Sequence, residues 1–219
     1  MSQHRKAPAA TAGRWSPWLV VALLSTGLAV CSLLSNLQSL AMLSRQVPDQ
    51  LSVARWVVSL LLNTGVLWAA AQLAAGAVLA RPLRGAWAAV LTGELSLVLH
   101  YALGRLLGIM PPGVWAENLH WFVTAVVAGV PLGALGALWR SGGLGGLVAR
   151  LLLPVGAVTE PLLRNWLGRL PEGVDPSTPS LVAERVSGWV MLVAGTCGGV
   201  VTVLRWWRRR TRGQGSPGS

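Results

Sequence analysis

Residues 15–44 read WSPWLVVALLSTGLAVCSLLSNLQSLAMLS, a run of 30 residues between Arg14 and Arg45 without one charged side chain. A helix of about 20 mostly apolar residues crosses the hydrocarbon core of a bilayer, so this run is long enough to span it. Arg5, Lys6 and Arg14 stand before it as the basic segment of a signal peptide would. The apolar run, however, far exceeds the ~7–15 residues of a signal core, and no small-x-small cleavage site follows it. An uncleaved first membrane helix is expected.

Working outward, uncharged runs of similar length recur. There are 25 residues between Arg55 and Arg81, 22 between Glu117 and Arg140, and 19 between Arg185 and Arg205. Two further stretches carry charge. Residues 85–104 hold Glu94 near the middle and His100 beyond it, and residues 143–165 hold Arg150, Glu160 and Arg164 with Pro154 and Pro161. The latter reads as a tilted, broken or re-entrant segment, forms allowed where backbone faces protein rather than lipid. The expected fold is therefore all-α, a polytopic membrane helix bundle with spans at about 17–43, 56–80, 85–104, 118–139, 143–165 and 186–204. Together these make a membrane domain over 15–207, between a basic segment 1–14 and a tail 208–219 that is basic and then disordered.

Composition agrees. The chain of 219 residues is 53% hydrophobic and only 11% charged, against about 25% charged in an ordinary soluble domain. A soluble domain of this size has too much surface to hide that apolar content, and disorder requires low hydrophobicity. A net charge of +11 and a pI near 11.7 would suggest nucleic acid in a soluble protein. Here 17 of the 18 cations are arginine and most flank apolar runs, where cations orient membrane helices; no nucleic-acid partner is expected. Cys31 and Cys197 both lie in apolar runs, which implies neither a disulfide framework nor a metal site. No cofactor is expected.

With six spans and a cytoplasmic start, 11 cations fall on the inner side (Arg5, Lys6, Arg14, Arg81, Arg84, Arg140, Arg205, Arg208, Arg209, Arg210 and Arg212). Six fall outside (Arg45, Arg55, Arg105, Arg164, Arg169 and Arg185). Cation bias sets orientation, so both termini are expected in the cytoplasm and the protein in the cell membrane. A tight turn at Arg81-Pro82-Leu83-Arg84 makes spans two and three neighbours, and the stretch from Trp166 to Arg185 reads as an irregular outer loop. Of 12 tryptophans, Trp15, Trp18, Trp56, Trp115, Trp121, Trp139, Trp166, Trp206 and Trp207 stand near span ends as an interfacial belt.

Ionisable groups within the bilayer mark functional sites by default. Glu94 and Arg150 lie at similar depths from the cytoplasmic side, about 13 Å and 10 Å by helical rise, and an ion pair between spans three and five is expected. On a helical wheel Glu94 shares a stripe with Trp87, Tyr101 and Arg105, while His100 points away from it. Glu94, Arg150, Tyr101 and His100 thus form the candidate polar site. It reads either as a cavity for a cationic or hydroxylated solute or a proton, or as a structural pair that fixes helix register. Glu160 and Arg164, four residues apart, read as a local ion pair at the outer face. Asn36, Gln38, Asn63 and Gln72 read as interhelical hydrogen-bonding groups. Gly142/Gly146, Gly195/Gly199 and the glycines around Pro131 offer close helix contact, within the chain, to a second copy or to a membrane-protein partner. Arg205, Arg208, Arg209, Arg210 and Arg212 form a stop-transfer cluster suited to anionic lipid.

No Gly-x-Ser-x-Gly, His-Glu-x-x-His, paired intramembrane Asp or Walker A motif is present, so no enzymatic activity is expected. Thr92-Gly93-Glu94, His100-Tyr101, the segment from Trp121 through Gly129-Val130-Pro131-Leu132-Gly133-Ala134-Leu135-Gly136, and Thr159-Glu160 carry a resemblance. Over residues 55–205 the chain resembles a family of bacterial multi-pass membrane proteins of comparable length, whose domain has no assigned function. The resemblance implies an architecture and no activity. The function expected from the residues is a small transporter or solute-binding membrane module; the alternative is a structural or assembly partner of a membrane complex.

Overall fold

In a computed structural model the chain is described over residues 16–43, 49–168, 175 and 177–214. Expectations placed on residues 1–15, on Arg45 and Arg169, and on tail residues 215–219 lie outside the described residues, as do the side chains of Gln38 and Arg212.

Every described element is helical: α1 (Pro17–Leu43), α2 (Asp49–Leu62), α3 (Gly65–Leu79), α4 (Pro82–Leu106), α5 (Val114–Glu117), α6 (Leu119–Ala137), α7 (Leu144–Leu163) and α8 (Pro179–Gln214). Counting α2 and α3 as one broken span, 6 of these segments are long and apolar enough to cross a membrane. An even number of crossings puts the start of α1 and the end of α8 on one side, here the tail end. The end of α1, the start of α2, residues 107–118 and 164–168 and the start of α8 belong to the other, the loop end.

The packing is that of a protein in lipid. The interior is built from small residues: Ala29, Ala75, Ala88, Ala89, Ala149 and Ala183 have no exposed surface, whereas Leu83, Leu106 and Leu163 are more than 70% exposed. In hydrocarbon, helices gain nothing by hiding leucine, and close backbone approach decides which faces meet. Buried hydroxyls return to their own helix, with Ser25 Oγ donating to Val21 O and Thr92 Oγ1 to Ala88 O, both at 2.8 Å. Between helices, Ser35 and Ser59 pair at 2.8 Å and stitch α1 to α2.

The tightest contact joins α3, α4 and α6. A Cβ at Gly133 would overlap the Gly85 carbonyl, one at Gly76 the Gly133 carbonyl, and one at Gly136 the Leu73 carbonyl. Gly195 lies against Pro154 and Ala157 of α7. The glycines of α6 and Gly195 therefore face helices of the same chain, while Gly142 faces open space.

Two boundaries differ from expectation, and a third segment takes one of its expected forms. The second span starts earlier, at Asp49, and is interrupted after Leu62. Residues 144–163 form one continuous helix despite Pro154 and Pro161; at 20 residues it is about 30 Å long, which matches the hydrocarbon core. The last helix begins at Pro179 rather than near residue 186, because proline opens a helix without loss: its missing N–H has no intrahelical partner there. Trp166, expected in the interfacial belt, is buried at 6% exposure beneath the Arg164 guanidinium, 5.3 Å above its ring.

Candidate functional site

The break in the second span is the local event that builds the site. Asn63-Thr64-Gly65 interrupts an apolar run, and Thr64 caps α3, its Oγ1 accepting from Leu67 N at 3.3 Å. The first amides of a helix lack intrahelical acceptors and carry partial positive charge. Glu160 of α7 satisfies two of them: Gly65 N donates to Oε1 and Val66 N to Oε2, each at 3.0 Å. Arg164 Nε lies 2.9 Å from Glu160 Oε1, so the structure brings Glu160 and Arg164 together at the loop end. The carboxylate thereby holds a helix start as well as an arginine.

Behind this junction a cavity of about 570 Å³ runs from the loop end toward mid-bundle. Asn36 of α1 and Asn63 stand on one side, Trp68 and Gln72 of α3 on the next, His100 and Tyr101 of α4 opposite, and Asn118, Trp121 and Thr124 at the head of α6, with Arg164 also lining it. His100 is only 6% exposed. Its Nε2 lies 3.4 Å from Asn36 Nδ2, the Ala29 backbone is beside the ring, and Nδ1 is buried without a hydrogen-bond partner. Gln72 Nε2 donates to Ala125 O at 3.3 Å, leaving its carbonyl oxygen available. Tyr101 is fixed by aromatic neighbours, with ring centroids of Trp115 and Phe122 at 5.5 Å and 5.9 Å.

His100 and Tyr101 therefore share the cavity, whereas Glu94 and Arg150 do not line it. The expected ion pair is also absent: among the described residues the ion pair found is that of Arg164 with Glu160. Arg150 instead donates from Nε to Trp139 O at 2.9 Å and from Nη2 to Ser141 O. The physical reason is directional. Helical side chains lean toward their helix start, and a long arginine stem carries its charge toward the interface. Arg150 thus reaches back to carbonyls freed at the end of α6. The two groups lie at similar depths along their helices, but α4 packs on α6, α3 and α1 while α7 packs mainly on α8. Glu94 sits half-buried beside the exposed Leu91, Leu95 and Val98, with Oε1 buried and unpartnered.

No family model, no curated protein and no solved structure matches this chain. The geometry alone therefore defines what the site can do. Among the described residues no three His, Cys, Asp or Glu side chains converge as a metal site. The cavity offers amides, an imidazole, a phenol, a hydroxyl, two indole rings and the Arg164 guanidinium. Asn36 and Gln72 do link helices as expected, to His100 of α4 and to Ala125 of α6; that they and Asn63 also border one cavity is not marked by any spacing along the separate spans.

Proposed function

We propose that the chain is a small solute-binding membrane module that acts as a transporter, with its binding site in the loop-end cavity rather than at Glu94 and Arg150. The observation that carries this reading is a cavity of about 570 Å³ with a nearly fully buried His100 in its wall. That volume lies within the ~300–1,000 Å³ of small-molecule sites. Lipid offers no partner for such groups, and burying hydrogen-bonding side chains without one is unfavourable.

The lining sets the solute class. Among the described residues no carboxylate lines the cavity, and the charge of Arg164 is offset by Glu160. The reading is thus a small, uncharged, hydroxylated solute, hydrogen-bonded by Gln72, His100 and Asn118 and flanked by Trp68 and Trp121. A purely assembling role draws less support, because the glycines of α6 and Gly195 face helices of the same chain. Cation bias favours a cell-membrane protein with its tail end in the cytoplasm.

Native mass spectrometry of the purified protein identifies the retained solute, and proteoliposome uptake then follows it. Gln72→Leu and His100→Phe are expected to lower retention and uptake by about tenfold, the loss of one or two buried hydrogen bonds. Glu94→Gln is expected to leave both near the parent value. Uptake that collapses in Glu94→Gln while surviving in the cavity variants overturns the assignment.

A further inference from the structure

A second recess, of about 410 Å³, lies at the tail end between the α6–α7 turn and α8. Its wall is Trp139, Arg140, Arg150, Thr202, Arg205 and Arg209. Four guanidinium groups border one small volume, and among the described residues none of them pairs with a carboxylate. Arg150 spends two of its five N–H donors on Trp139 O and Ser141 O, which orients the group and leaves three free. Arg205 and Arg209 are one helical turn apart and so project from the same face of α8.

We propose that this recess binds a phosphate group, carried either by an anionic phospholipid or by free phosphate. Like charges held around a common space repel, and an oxyanion between them relieves the repulsion. The guanidinium fork matches two phosphate oxygens at once. Depth fits the same chemistry: Arg150 lies six residues past the start of α7 at Leu144, about 9 Å along the helix, and its head reaches back toward the interface where phosphates lie. The site is distinct from a diffuse basic surface. Arg208 and Arg210 belong to the same cluster in sequence but do not line the recess, and Arg210 stacks on Trp206 at 5.0 Å. Two of the four arginines come from outside the tail cluster altogether. The proposal does not depend on the solute assignment of the loop-end cavity.

The test is thermal unfolding of the full chain in a neutral detergent at matched ionic strength. The probes are inorganic phosphate, phosphatidylglycerol in mixed micelles, and phosphatidylcholine as the zwitterionic control. The expected result is a saturable rise in Tm with an anionic probe. R205Q/R209Q weakens the apparent Kd about tenfold or more, while R208Q/R210Q, with the same change in net charge, leaves it within about twofold. Should R205Q/R209Q fail to fold, Arg140→Gln reads the same loss from the other wall. A response to inorganic phosphate alone assigns free phosphate; a response to phosphatidylglycerol alone assigns the lipid. Equal loss in both double variants, or no saturable rise with either anionic probe, overturns the proposal.

Discussion

Glu160 joins three partners with one carboxylate: the Gly65 and Val66 amides and the Arg164 guanidinium. Their contributions differ with exposure. Arg164 is 46% exposed and Glu160 only 12%, so solvent screens the arginine contact while the amide contacts persist. Glu160→Ala is expected to destabilise the protein by about 2 kcal/mol, and Arg164→Gln by about 0.5 kcal/mol. Unfolding midpoints in detergent check the pair; equal losses would mean that the amides contribute nothing. A second carboxylate acts in the loop before α8. Asp175 accepts from Ser177 N at 2.9 Å and from Ser177 Oγ at 2.7 Å, which holds its carboxyl below the usual 3.8. Because the folded value is lowered, this local order is complete above the ordinary carboxylate range and is lost as pH falls through the lowered value. In Ser177→Ala the Asp175 midpoint, read by NMR titration, should rise back toward 3.8. At this scale it was legible that α4 carries the polar groups Glu94, His100 and Tyr101, but helical angle grouped Tyr101 with Glu94, whereas the cavity groups it with His100. The partner of Arg150 was not legible, since spacing along one helix fixes depth and says nothing of which helix stands beside it.

At the scale of elements, lengths of uncharged sequence located the spans well because hydrocarbon imposes a minimum length on each helix. The interruption at Asn63–Thr64 escaped the same reasoning. It lies inside a 25-residue uncharged run, where the apolar average hides one polar pair; only the Asn-Thr-Gly order, a cap followed by a flexible residue, marks it. Glycine spacing fared differently. Small residues announced contact, but which helices met depended on the register between them, and the decisive contact joined Gly85 to Gly133 across α4 and α6. Gly133→Val is expected to force those helices apart and destabilise the protein by about 1–3 kcal/mol. Gly142→Val, in open space, should cost less than about 0.5 kcal/mol. A shared drop in unfolding midpoint would remove the case for backbone contact at Gly133.

The whole molecule is polarised along its length. Toward the tail end, Gly76, Gly85, Gly133 and Gly136 bring α3, α4 and α6 into backbone contact, which leaves little room between them. Toward the loop end the same helices carry Trp68, His100 and Thr124 around open volume, with Gln72 deeper at mid-helix, and the break that separates α2 from α3 lies beside it. The close glycine contacts thus lie on the tail side of the cavity, which makes entry from the loop side the expectation. Access can be measured directly. After Cys31 and Cys197 are replaced by alanine, single cysteines at Ala69 and Thr124 are expected to react with a membrane-impermeant maleimide added to the loop side of oriented vesicles. From the tail side they should react at least about tenfold more slowly, since a reagent must cross closely packed backbone to reach them. Labelling at equal rates from both sides would show that the glycine contacts do not seal the bundle. Labelling from the tail side alone would reverse the direction in which the site opens.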